Sequence, residues 1–223
     1  MLCIPIIASN TQEALDRMAV ASPLADVIEI RLDLMESLDI GALIRPAVKP
    51  LLVTYRSKKQ GGSGSAKPDI VADYLMSAVE EGADFVDVEL SMPSELRQNI
   101  IDSRRKSGIV VSSHINDGTP SRGDLKKIFN DSAATGCDIV KIVTMANRWD
   151  DNLRLLELIP EARERDIKII AFCMGRMGRI SRIFSVLMGA HLTFASLEAG
   201  QESAPGQIPI SEMKMMLEYF GKS

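Results

Sequence analysis

The sequence predicts an α/β fold, a single (β/α)8 barrel of the TIM type spanning residues 1–223. Three observations lead there. Short apolar runs rich in β-branched residues recur along the whole chain, and helical patterns lie between them. The repeat also has a suitable length: 223 residues over eight units gives roughly 28 per unit, about one strand, one helix and their loops.

The first run covers residues 3–8, and Thr11 opens a helix that reaches about Ala21. The second, 27–32, is followed only by a short helix at 38–44. The third, 51–55, leads to a helix at 70–81 with Pro68 ahead of it and Gly82 behind. The fourth, 85–90, leads to a helix from Pro93 to Lys106 that stops before Gly108. The fifth, 109–113, precedes a helix at 125–134 and Gly136. The sixth, 139–143, precedes 151–164, where Pro160 predicts a kink or break. The seventh, 168–172, leads to 180–188, and the eighth, 191–195, to 211–220. Runs apolar on both faces imply a parallel sheet covered by helices. No Gly-x-Gly-x-x-Gly follows the first run, which speaks against an open dinucleotide-binding sheet. Two small-residue loops, 61–65 and 198–209, fall at the ends of strands, where barrel enzymes build their sites, and suit mobile covers.

Composition narrows the function classes. Apolar residues at 46% and charged residues at 25% exclude general disorder. A net charge of −4 argues against nucleic acid or a membrane surface as partner. No apolar run approaches the ~18 residues of a membrane span. The N-terminus lacks the basic start of a secretory signal, so a cytoplasmic setting is expected. Cys3, Cys137 and Cys173 are widely spaced and only His114 and His191 accompany them, so neither a disulfide framework nor a metal site is expected.

Charged residues interrupt the apolar runs. Glu29, Arg31 and Asp33 alternate in the second, hence share one face. That face is either an outward ion-pair ladder or a charged cluster inside the barrel, and the strand alone does not choose. The third run ends in Thr54-Tyr55-Arg56, the fourth in Asp87-Val88-Glu89, the fifth in Ser112-Ser113-His114, and Lys141 stands inside the sixth. A lone histidine or lysine at a strand end is usually structural. Together they are more telling: His114 and Lys141 are 27 residues apart, one repeat, and are expected at matching levels on neighbouring strands about 4.8 Å apart. A desolvated lysine with cations nearby, such as Arg31, Arg56 or Arg182, loses its proton more readily and attacks ketones. The protonated imine so formed acidifies the adjacent carbon, and His114 is placed to take that proton.

At these residues the chain resembles the type I 3-dehydroquinate dehydratase family. The matching segments are Glu-Ile-Arg-Leu-Asp at 29–33, Thr-Tyr-Arg-Ser at 54–57 with Gly61-Gly62, Ser-Ser-His at 112–114 and Val-Lys-Ile at 140–142. Met-Gly-Arg-Met-Gly-Arg-Ile-Ser-Arg at 174–182 and Ser-Ala-Pro-Gly-Gln at 203–207 complete the set, in the family's order. The resemblance implies a hydro-lyase of the shikimate pathway that eliminates water from 3-dehydroquinate. In it Lys141 forms the imine, His114 transfers protons, and Arg182 clamps the substrate carboxylate. Glu29, Arg31 and Arg56 would bind substrate hydroxyls, Ser203 and Gln207 would close over them, and Met174 and Phe194 would be pocket walls. No cofactor is implied, and a homodimer is the family expectation.

The chain departs from the family pattern in three places. Gln60 stands where many relatives have the glutamate beside the catalytic histidine, leaving Glu89 as a substitute carboxylate. Ser-Ser-His-Ile-Asn-Asp changes the loop after His114. An N-terminal hairpin covering the barrel floor, present in longer members, is not expected. The competing possibilities are another imine-forming barrel lyase or aldolase, and a non-catalytic barrel used for binding.

Overall fold

A computed structural model describes residues 1–221. Its eight parallel strands are β1 (Leu2–Ile6), β2 (Val27–Arg31), β3 (Leu51–Thr54), β4 (Phe85–Glu89), β5 (Gly108–Ile115), β6 (Ile139–Met145), β7 (Lys168–Met174) and β8 (Thr193–Phe194). Strands β1 to β7 pair in sequence order, and β8 pairs with β1. The seam between β7 and β8 carries a single backbone bond, His191 N–H to the Ile169 carbonyl at 2.7 Å, so the barrel is nearly closed.

The covering helices are α1 (Thr11–Ala21), α2 (Ile40–Ile44), α3 (Pro68–Glu81), α4 (Ser94–Asp102), α5 (Arg122–Ala133), α6 (Asp151–Leu156), α7 (Leu158–Glu164), α8 (Arg179–Leu187) and α9 (Ile210–Gly221). Their ends follow local chemistry. The Asn10 side chain caps α1 by accepting the Glu13 N–H at 3.0 Å. Pro68 opens α3, and Gly82, at φ 92°, ends it in the left-handed conformation that glycine adopts without strain.

Where the structure differs from the sequence expectations, the causes are local. The expected helix at 151–164 is two helices meeting at Glu157. Pro160 has no N–H and its ring crowds the carbonyl four residues back, at Leu156, which is where α6 stops. The helix expected to reach Lys106 ends at Asp102, and Arg105 at φ 50° turns the chain into β5. Strands β5 to β7 run two residues further than expected, which places His114 within β5. β8 is only two residues long, although Ala195 N–H still bonds the Cys3 carbonyl at 3.0 Å.

Side-chain alternation divides the core. Outward residues such as Ile4, Ile28, Val53, Val86 and Val111 pack against Met18, Leu43, Leu75 and Ile100 of the helices. Inward residues Cys3, Val27, Leu52, Val110, Ile139 and Ile170 fill the barrel floor. The next inward level is polar, with Glu29, Thr54, Asp87, Ser112 and Lys141 all buried. An apolar plug beneath a polar layer sets the site at the strands' C-terminal ends. Among the described residues no helix is long and apolar enough to cross a membrane.

Candidate active site

Lys141 is 3% exposed and its Nζ donates to Asp87 Oδ2 at 2.8 Å. The same carboxylate accepts from Arg56 Nη2 at 2.7 Å and from Ser112 Oγ at 2.5 Å. Glu29 Oε1 lies 3.8 Å from Nζ on another side and accepts from Thr54 Oγ1 at 2.9 Å. The Phe194 ring lies beneath Nζ, its centre 4.5 Å away. The sequence pointed to Arg31, Arg56 or Arg182 as cations near Lys141. Arg56 does share the Asp87 oxygen with it, but the charges paired directly with the amine are the carboxylates of Asp87 and Glu29. Burial alone would raise the Asp87 pKa, but Arg56 and Lys141 outweigh it and hold this carboxyl well below the usual range. Asp87 is therefore an ionised anchor for the amine.

His114 shares the inner face with Lys141 but not its level. Ser112 is the register partner of Lys141, while His114 pairs with Val143, about 6.6 Å further along the strand. The equal-level expectation fails because a one-repeat sequence interval ignores the stagger of barrel strands. The offset sets the imidazole above the amine, at the cavity side. Burial and the cations Arg56 and Lys141 push the His114 pKa well below its ordinary value, with Asp87 opposing them. His114 is thus held as a neutral imidazole. Gln60 does lie beside it: Gln60 Oε1 accepts the His114 backbone N–H at 2.9 Å and stands 3.2 Å from Nδ1. Glu89 reaches the histidine only indirectly, since its oxygens accept from Arg56, Ser57 and Ser91.

The inward-cluster alternative is the correct one for β2 as regards Glu29 and Arg31. Asp33 lies beyond the strand in a short 3-10 turn, folded back onto Arg31 in a two-point pair at 2.8 and 2.8 Å. It also accepts the backbone N–H groups of Arg56 and Ser63, at 3.1 and 3.0 Å, and so ties down the loop after β3.

Arg182, on α8, is 1% exposed. Its guanidinium lies over the Phe172 ring at 4.4 Å, and Nη2 donates to the Pro205 carbonyl at 3.2 Å. Among the described residues, Nε and Nη1 have no acceptor. Burial, with Arg179 adding to it, pulls this group down to about 9. A buried cation without a counter-ion costs several kcal/mol, roughly, unless it serves a ligand. In the loop after β8, Ser203 N–H donates to Gln207 Oε1 at 2.7 Å and Gln207 Nε2 donates to Ser203 Oγ at 3.0 Å. Gly206, at φ 79°, passes so close to Gly175 that a Cβ would fall 2.3 Å from the Gly175 carbonyl oxygen.

These groups surround a cavity of about 280 Å3. The residues that the resemblance gave a catalytic or binding role all line it: Glu29, Arg31, Arg56, His114, Lys141, Arg182, Ser203 and Gln207, with Met174 and Phe194 as walls. Sequence reasoning gave no role to Asp87 or Phe172. Asp87 had a visible signal, an acid inside an apolar strand two positions from Glu89; Phe172 had none, since its ring becomes informative only beneath Arg182. No group of three or more metal-ligating side chains occurs among the described residues.

Residues 2–223 match the family model described as Type I 3-dehydroquinase. The chain belongs to this family. It is 34% identical over 221 residues to a 3-dehydroquinate dehydratase of Methanococcus vannielii, covering 97% of this chain and 98% of that one. It is 35% identical over 220 residues to the chloroplastic bifunctional 3-dehydroquinate dehydratase/shikimate dehydrogenase of Arabidopsis thaliana, 96% of this chain but 36% of that longer protein. The crystal structure of 3-dehydroquinate dehydratase from Geobacillus kaustophilus superimposes with a TM-score of 0.90 at 29% identity, covering 99% of this chain and 90% of that chain.

Proposed function

We propose that this chain is a hydro-lyase that converts 3-dehydroquinate to 3-dehydroshikimate and water in the shikimate pathway, through an imine on Lys141. The observation that carries the proposal is the pairing, in one cavity, of a buried amine anchored by Asp87 with the Arg182 guanidinium, which has no acidic partner among the described residues. A substrate with a ketone at one end and a carboxylate at the other suits both. The cavity lies just below the ~300–1,000 Å3 typical of ligand pockets, a size that suits a single-ring molecule.

Lys141 Nζ, once neutral, adds to the C3 carbonyl carbon, and the carbinolamine loses water to give a protonated imine. This cation occupies the place of the ammonium, so Asp87 continues to neutralise it. His114 removes a C2 proton, and the electron pair flows into the imine to form an enamine. The enamine expels the C1 hydroxyl, which leaves as water after taking a proton from His114. Hydrolysis then frees Lys141. The amine supplies the electron sink, so the scheme needs no added cofactor. Arg182 takes the carboxylate as a forked donor, while Glu29, Arg31, Arg56, Ser203 and Gln207 hold the ring hydroxyls. A cytoplasmic homodimer belongs to the same proposal. The exposed apolar side chains Leu187, Met215, Tyr219 and Phe220 on α8 and α9 support a self-contact, which sedimentation equilibrium checks.

The test is direct. Purified protein without added cofactor is mixed with 3-dehydroquinate, and growth of the conjugated enone absorbance is followed. Absence of turnover by well-folded protein overturns the assignment.

A further inference from the structure

We propose that Gln60 is a positioning residue that fixes His114 as the Nδ1–H tautomer, its amide orientation being set by the His114 backbone N–H at one end and by Ser91 and Glu89 at the other. The proposal rests on the dehydratase reading above, and its main test does not depend on turnover.

The argument is one of hydrogen-bond polarity. The Glu89 carboxylate, which pairs with Arg56, only accepts. Ser91 Oγ, 3.4 Å from Glu89 Oε2, therefore points its proton there, and its lone pair accepts from Gln60 Nε2 at 2.9 Å. With the amide nitrogen committed to Ser91, Oε1 faces His114. The other end requires the same orientation. The His114 backbone N–H is an obligate donor 2.9 Å from Oε1, and a reversed amide would set two donors against each other. Nδ1, 3.2 Å from the same oxygen, must then be the donor. In the neutral ring Nε2 keeps its lone pair, the state a general base needs.

A glutamine does this differently from a carboxylate. It fixes the tautomer without adding a negative charge beside the ring. The charged groups bearing on His114 are then Arg56, Lys141 and Arg31, opposed by Asp87. Glu89 lies beyond Ser91 and is already paired with Arg56. An imidazolium formed in this setting is a comparatively strong acid, suited to giving its proton to the departing hydroxyl.

The experiment is 15N NMR of histidine-labelled protein. The chain has only two histidines, so His191→Asn assigns the His114 ring. The wild type is expected to show Nδ1 protonated and Nε2 unprotonated at neutral pH. Gln60→Leu should give a tautomer mixture and a kcat loss of roughly 10- to 100-fold, part of the ~10²–10⁴ that general acid–base catalysis supplies, with KM little changed. Gln60→Glu, nearly isosteric, should keep the Nδ1–H form and move the His114 titration to higher pH; it serves as the test should the leucine variant fail to fold. An Nε2–H or mixed wild-type ring overturns the proposal. So does a leucine variant with an unchanged ring, or a glutamate variant whose His114 titration does not move.

Discussion

Asp87 Oδ2 accepts from Lys141 Nζ at 2.8 Å and from Arg56 Nη2 at 2.7 Å, so one carboxylate oxygen holds the amine and the neighbouring guanidinium together beneath the cavity. In the proposed mechanism, catalysis by Lys141 depends on where that oxygen holds it.

Replacing Asp87 with alanine leaves two buried cations without their common partner. The expected loss is about 3–5 kcal/mol of folding stability, the range for breaking a buried ion pair, measured by urea unfolding. A loss below about 1 kcal/mol would show that the network relaxes without it. Asp87→Asn keeps the volume and should depress kcat more than it raises KM, because the amide neutralises neither ammonium nor protonated imine.

Arg182 reverses the usual relation between function and stability. The apolar, flexible substitution Arg182→Met removes a desolvated cation from beside Phe172. It should leave stability unchanged or raise it, while weakening substrate binding by roughly 2 kcal/mol or more. Thermal unfolding and steady-state kinetics together check both halves. A variant that is destabilised yet binds substrate normally would make Arg182 a structural residue.

His114 sets a pH dependence whose sign follows from its lowered pKa. Below about 6.5 the unfolded imidazole takes up a proton that the folded one resists, so this group costs stability as pH falls from about 6.5 to its folded value. The neutral base also persists below about 6.5. The acid limb of kcat/KM that belongs to His114 should therefore lie below about 6.5 and be absent in His114→Ala.

The cover over the site depends on Gly206. Gly206→Ala places a methyl 2.3 Å from the Gly175 carbonyl oxygen at a φ of 79°. The loop carrying Ser203 and Gln207 must shift, and KM should rise several-fold with Lys141 unaffected. Unchanged kinetics would show that the loop has another seated position.

Much of this was legible in the sequence because its signals are local. β-branched runs at a steady interval gave the barrel, and acids, arginines and a lysine inside those runs gave its polar level. The helix break near Pro160 followed from a missing N–H. What was not legible depended on stagger and on side chains meeting across the barrel. A one-repeat interval put His114 level with Lys141, whereas the strand register sets it two residues higher. Asp87 gained its role only when β4 and β6 brought its carboxylate to the amine across β5. The Gln60–Ser91–Glu89 chain joins the loop after β3 to the end of β4, a contact no sequence spacing encodes.

The central claim is that Lys141 forms the imine while His114 moves the protons, and borohydride trapping with 3-dehydroquinate tests it most directly. Peptide mapping by mass spectrometry should place a reduced substrate adduct on Lys141. The adduct should persist in His114→Ala, where turnover is severely slowed, and vanish in Lys141→Ala. An active preparation that yields no adduct, or one that yields it on another residue, would contradict the account.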